Sequence, residues 1–187
     1  MTYFLESARL GFRTWIDEDI PLAMGLWGDP EVTKLIGGPF TPEMVHERLT
    51  REIKQGQECS LQYWPVFLLD GGKHVGCAGL RPYRSEQRVY ELGVHLRPAF
   101  WRQGLAKEAA LAVIAYGFGT LHADALFAGH HPANDASRQL LLRLGFVRSR
   151  EELYPATGLM HPSYLLRRDS HAACLRDLRS ISPRSSL

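Results

Sequence analysis

Residues 98–109, Pro98-Ala99-Phe100-Trp101-Arg102-Gln103-Gly104-Leu105-Ala106-Lys107-Glu108-Ala109, carry the most information in this chain. Before them, Val89 to Arg97 (VYELGVHLR) has the pattern of a strand. After them, the spacing predicts a helix from Gly104 to about Phe118 that buries Leu105, Ala109, Ala112 and Tyr116. A strand thus runs through a short loop into a helix start. Helix starts leave backbone N–H groups unpaired and carry partial positive charge, so they hold phosphate readily. Gly104 and Ala106 matter for what they lack, because a large side chain there would keep a diphosphate away from the amides. Arg102 can add a charge contact. No Gly-Lys-Ser/Thr follows, which excludes a P-loop, and missing glycines exclude the GxGxxG dinucleotide fingerprint.

Working outward, Ser7 to Trp15 is expected to be one strand, and Pro21 opens a helix that Gly28-Asp29-Pro30 stops. Glu31 to Phe40, with Gly37-Gly38-Pro39, is expected to be a loop. Thr41-Pro42-Glu43 caps a second helix with a Val45, Leu49, Ile53 stripe. Leu61 to Leu69 and His74 to Arg81 form a hairpin about Asp70-Gly71-Gly72, with Pro65 marking an edge or a bulge. Ala125 to Gly129 is a strand, Asn134 to Leu144 a helix closed by Gly145, and 147–154 with 160–168 a last antiparallel pair. Residues 1–168 then form one domain. Residues 169–187 are a Ser- and Arg-rich tail, disordered or a frayed helix.

The 187 residues suit one core, which at this size buries about 70% of the unfolded surface. Twenty-two Lys and Arg against 20 Asp and Glu leave a charge of +2, too small to make nucleic acid or an anionic membrane the main partner. Cys59, Cys77 and Cys174 form no CxxC pair, which argues against a disulfide framework or a zinc ribbon. No apolar run approaches the ~18 residues of a membrane span, and the N-terminus lacks the pattern of a signal peptide. The expectation is a reduced, soluble, cytoplasmic domain.

Tyr90-Glu91-Leu92-Gly93-Val94, Pro98 and Trp101 to Ala109 together resemble motif A of the GNAT N-acetyltransferases. Asn134-Asp135-Ala136-Ser137 and Leu144-Gly145-Phe146 resemble the second signature of the RimJ/RimL-like ribosomal-protein acetyltransferase branch. The resemblance spans about residues 7 to 168 and departs from the family's Q/R-x-x-G-x-G/A pattern at Trp101. It implies a mixed α/β GNAT fold, a mostly antiparallel twisted sheet of about six to seven strands flanked by about four helices. Acetyl-CoA would lie at the splay between the strands at 89–97 and 125–129. It further implies acetyl transfer to a primary amine, from a protein N-terminus or a small molecule, by direct attack in a ternary complex without a metal. A homodimer is compatible with it.

By the same resemblance, the amides of Arg102, Gln103, Gly104, Leu105 and Ala106 would hold the pyrophosphate, with Trp101 beside them at the coenzyme. The main chain of Val94, His95 and Leu96 would pair with the pantetheine arm and polarise the thioester, and Asn134 would fix that arm. The amine must lose a proton before attack and the departing thiolate must gain one. Glu91, on the strand that would hold the thioester, is the candidate base, with an ion pair to Arg81 or Arg88 as its alternative role. Ser137 is the candidate acid or thiol hydrogen-bond donor, unless it bonds its own helix backbone. Tyr154 and Tyr164 are substitutes for it. His95 shares the strand face of Glu91 but is better read as structural or as a substrate contact, and His130-His131 lacks the company of a metal site.

Trp27, Leu35, Ile36, Phe40, Tyr63, Trp64 and Tyr154 are the expected acceptor walls, each also suited to a core. No dense acidic cluster stands ready for a polycation. Two other classes remain open: a catalytically silent acyl-CoA-binding module and a ribosome- or RNA-associated protein. The pairing of Glu91 with Ser137 favours the enzyme over the first, and the lack of a basic stripe counts against the second.

Overall fold

The computed structural model describes residues 2–170. A single eight-stranded sheet runs β1 (Leu5–Glu6), β2 (Leu10–Phe12), β3 (Tyr63–Leu68), β4 (His74–Arg84), β5 (Val89–Leu96), β6 (Ala125–Gly129), β8 (Leu159–Arg167), β7 (Val147–Tyr154). Every neighbouring pair is antiparallel except β5 with β6. The helices are α1 (Ile20–Trp27), α2 (Pro30–Thr33), α3 (Pro42–Cys59), α4 (Leu105–Gly119) and α5 (Asp135–Arg143). This is the mixed α/β arrangement the resemblance implies, with one strand more than expected.

The extra strand comes from the N-terminus. Ser7 to Trp15 is not one strand, because the Ser7 N–H donates to the Leu10 carbonyl at 2.8 Å and the Leu10 N–H to the Ser7 hydroxyl at 3.2 Å. Those bonds close a turn over residues 7–10, so that Leu5–Glu6 before it and Leu10–Phe12 after it pair as β1 and β2. The loop expected over 31–40 is likewise interrupted. Asp29 accepts from the Glu31 N–H and Pro30 sits in the first turn, which is enough to start α2. Pro65 lies one residue beyond the last β2–β3 pair, Phe12 with Val66, beside a slip in the β3–β4 register. Gly71 and Gly72 both take positive φ in the predicted hairpin turn.

Period two along the strands sorts side chains into two cores. Leu80, Leu92, Leu96, Leu126, Ala128 and Leu166 pack under α4 and α5. Tyr63 and Cys77 pack on the opposite face against Trp27, Val45 and Leu49 of α1 and α3. The α4 helix is buried more broadly than its predicted stripe, since Ala110, Val113, Ile114, Gly117 and Phe118 are also buried while Ala112 and Tyr116 are partly buried. Among the described residues no helix is long and apolar enough to cross a membrane. Of the tail, residues 169 and 170 continue a helical turn begun at 168, and 171–187 lie outside the described residues.

Candidate active site

The loop after β5 is held open by its own side chains. The Trp101 indole N–H donates to the Leu96 carbonyl at 2.7 Å, and the Gln103 amide donates to the Ala99 carbonyl at 2.8 Å. Arg102 and Gly104 both take left-handed backbone conformations, φ 59° and 78°. The first helical bond of α4 runs from the Glu108 N–H to the Gly104 carbonyl at 3.1 Å. Among the described residues, the N–H groups of Arg102 to Lys107 have no acceptor, whereas Trp101, expected at the coenzyme, spends its backbone N–H on the Pro98 carbonyl at 3.1 Å and its indole N–H on Leu96. A Cβ added at Gly104 would meet only the Arg9 guanidinium, at 3.6 Å. Free amides, a clear approach and a nearby cation fit a diphosphate.

The β1–β2 turn braces this loop, a feature the sequence reading missed. Glu108 accepts from the Ser7 hydroxyl at 2.8 Å and from the Arg9 backbone and Nε, both at 2.7 Å. Arg9 Nη1 also donates to the Gln103 carbonyl at 3.2 Å. The partners are about a hundred residues apart, so no local pattern could signal them.

Where the loop leaves the sheet, the sheet divides. β5 and β6 are in register only over Val89–Ala125, Tyr90–Leu126 and Glu91–Phe127. On its other edge β5 stays paired with β4 as far as Leu96 with Gly76. The Arg97 N–H donates to the Val75 carbonyl, so antiparallel alternation points the main chain of Gly93 and His95 at β4. The N–H and C=O groups of Val94 and Leu96 point the other way, into the gap. The Leu96 carbonyl is taken by Trp101. Of the three residues 94–96, Val94 therefore offers both groups, Leu96 its N–H, and His95 neither.

The side chains of Glu91, Gly93 and His95 share the face toward α1 and α3. A Cβ on Gly93 would lie 2.2 Å from the Tyr63 ring and 2.6 Å from its hydroxyl oxygen, so Tyr63 lies flush on the strand only because residue 93 has no side chain. Glu91 is half-buried. Burial pushes its carboxyl above the ordinary value, against the opposing pull of Arg81, a Tyr63 hydroxyl hydrogen bond and Arg48. Arg88, the other proposed partner, pairs instead with Asp124 at 2.9 Å. Arg81 lies opposite Glu91 in the ladder, stacks over Tyr63 at 4.0 Å and hydrogen-bonds Glu52 of α3. A carboxylate with raised proton affinity, on the last β5 residue in register with β6, can take a proton from an amine.

His95 is a poor base. Burial, then Arg48 and Arg81, hold its ring well below the ordinary value, and its Nδ1 accepts the Trp27 indole N–H at 3.4 Å. Cys77 beside it is no nucleophile, because burial pushes its thiol up to about 12.

At the far side of the gap, β6 leads into α5. The Asn134 side-chain oxygen caps that helix by accepting the Ser137 N–H at 3.0 Å, which leaves the Asn134 NH₂ to donate. The Ser137 hydroxyl has no hydrogen-bond partner among the described residues, so its own helix does not consume it. Tyr164 is buried in the α4–α5 core, its hydroxyl 3.2 Å from His130 Nε2. Tyr154 is more exposed, its ring 4.8 Å from that of His161. Of the expected walls, Trp64 belongs to the α4–α5 core, 5.2 Å from the Tyr116 ring and on the wrong face. Trp27, Phe40 and Tyr63 lie on the Glu91 side. Leu35 and Ile36 are partly buried.

A sheet that opens beside a loop of free amides, with a carboxylate on the last residue before the opening, is an arrangement suited to an acyl-transferring enzyme. The family model described as an acetyltransferase (GNAT) domain matches residues 9–147, and the chain belongs to that family. It is 29% identical over 151 residues to the uncharacterized N-acetyltransferase YoaA of Bacillus subtilis, covering 77% of this chain and 82% of that one. It is also 29% identical over 162 residues to the FsC-acetyl coenzyme A-N(2)-transacetylase of Aspergillus fumigatus, covering 76% of this chain and 64% of that one. A GNAT-family acetyltransferase structure from Bacillus anthracis superposes with TM-score 0.76 over 88% of this chain and 98% of its own, at 23% identity. The protein is an acetyltransferase.

Proposed function

We propose that the protein moves the acetyl group of acetyl-CoA to a primary amine, a protein N-terminal α-amine or a small amine, by direct attack in a ternary complex. The observation that carries this is the gap between β5 and β6, with the free Val94 main chain on one side and the unpaired amides of 102–107 at its end. When bound, acetyl-CoA supplies an activated acetyl thioester. Arg102 to Ala106 would hold its diphosphate through their N–H groups, and the Asn134 NH₂ would steady its arm. The Val94 N–H is aimed to stabilise negative charge on a carbonyl oxygen.

Glu91 accepts the proton that the ammonium must lose, and Ser137 donates a hydrogen bond to the departing sulfur. Tyr63 keeps Glu91 in place. The motifs at 134–137 and 144–146 align the chain with the RimJ/RimL-like branch. Free-thiol release in a panel of N-terminal peptides, amino acids, polyamines and aminoglycosides tests the reading. Release that requires both acetyl-CoA and an amine supports it. Coenzyme binding without release from any acceptor would instead make the protein a silent acyl-CoA-binding module.

A further inference from the structure

Arg48 of α3 is a buried cation without an adequate partner. Only 8% of it is exposed, and its Nε makes no hydrogen bond among the described residues. It lies over the Trp27 ring at 4.6 Å, and its nearest carboxylate oxygen, Glu52 Oε1, is 4.0 Å away. Glu52 is already spent, since its Oε1 binds Arg81 and its Oε2 accepts the Tyr63 N–H at 2.9 Å. Arg81 has a buried Nε without a partner as well.

Two guanidinium groups therefore share one fully engaged carboxylate. The remaining anion nearby is Glu91, and it becomes neutral once it takes the proton of the attacking amine. A buried guanidinium with unused donors is costly, so the site is built for an anion that arrives from outside.

We infer that Arg48 and Arg81 receive an anionic group, a carboxylate or a phosphate, carried by the acceptor a few bonds from its reacting amine. The inference rests on the acetyl-transfer reading and narrows its substrate class. The short span follows from the ladder, in which Arg81 lies directly across from Glu91 and such pairs are about 5.5 Å apart at Cα. An amine held at Glu91 thus has its neighbouring atoms beside Arg81. Amino acids and amino-alkyl phosphates meet that requirement. Polyamines do not, and two adjacent cations repel them.

The test compares kcat/KM by thiol release for α-amino acids against their carboxamides, and for phosphoethanolamine against ethanolamine, with N-terminal peptides alongside. The charged member of at least one pair is expected to win by about 10- to 100-fold, the range for hydrogen bonds to charged groups. Which pair wins identifies the anion. Arg48→Met, which keeps the packing over Trp27, should erase the advantage, mainly through KM. The comparison on the unaltered protein stands even if that variant fails to fold. Neutral members or peptides turning over as well as charged ones would overturn the inference and leave acetyl transfer intact. Thiol release from no acceptor, with acetyl-CoA still protecting the protein against heat, would overturn both.

Discussion

Replacing His74 by Leu should flatten part of the protein's acid sensitivity. His74 opens β4, is 5% exposed, and neither ring nitrogen has a hydrogen-bond partner among the described residues. Burial, followed by repulsion from Arg97, lowers its pKa from 6.5 to about 4, with the Gly76 backbone and then Asp19 pulling upward and Arg13 downward. The folded form thus binds this proton less readily than the unfolded chain, so its contribution to stability is intact above pH 6.5. It is lost as pH falls from there toward 4, and no further below that. A fall of this size is worth about 3 kcal/mol at 1.36 kcal/mol per pH unit. For a protein of this length that is about 6–12 °C in Tm.

Thermal unfolding of both proteins at pH 7 and pH 4 reads the effect. The other titrating groups change both proteins alike, so the difference between them isolates His74. The variant's Tm should fall between the two pH values by about 6–12 °C less than the parent's. Parallel losses would refute the claim that this imidazole is buried neutral.

Glu91→Gln should lower kcat by about 10²–10⁴-fold with the affinity for acetyl-CoA unchanged, as read by stopped-time thiol release and calorimetry. Undiminished turnover would remove Glu91 from the base role. Tyr63→Phe takes away a hydrogen bond to the carboxylate form of Glu91, which raises that pKa further and moves the acid limb of the pH–rate profile to higher pH. An unmoved limb would separate the two residues. Gly104→Trp should abolish stabilisation by acetyl-CoA in a thermal shift assay, and the positive φ of 78° adds an intrinsic loss of about 1–2 kcal/mol. Persistent protection would place the diphosphate elsewhere.

Local chemistry made most of the scaffold legible. Thr41 before Pro42, the Asp70-Gly71-Gly72 turn and the left-handed Gly145 each act within a few residues, so their effects survive any tertiary context. The loop proposed to hold the diphosphate is of the same kind. The N-terminal turn was hidden because it depends on Ser7 reaching both its own strand and Glu108. Tyr63 and Trp64 are adjacent aromatics on opposite faces, and a period of two separates them without naming which core each enters. Arg48 and Glu52 look like an ordinary solvated helix pair until the sheet face with Arg81 is laid against them.

The three-residue seam between β5 and β6 has a mechanical consequence. It makes the sheet two plates, β1–β5 and β6–β8, stitched along one short margin and splayed beyond it. Whatever wedges into the splay leans on both plates at once. A ligand there stiffens strands it never touches, so amide exchange in β7 and β8 would report occupancy from the far edge of the molecule.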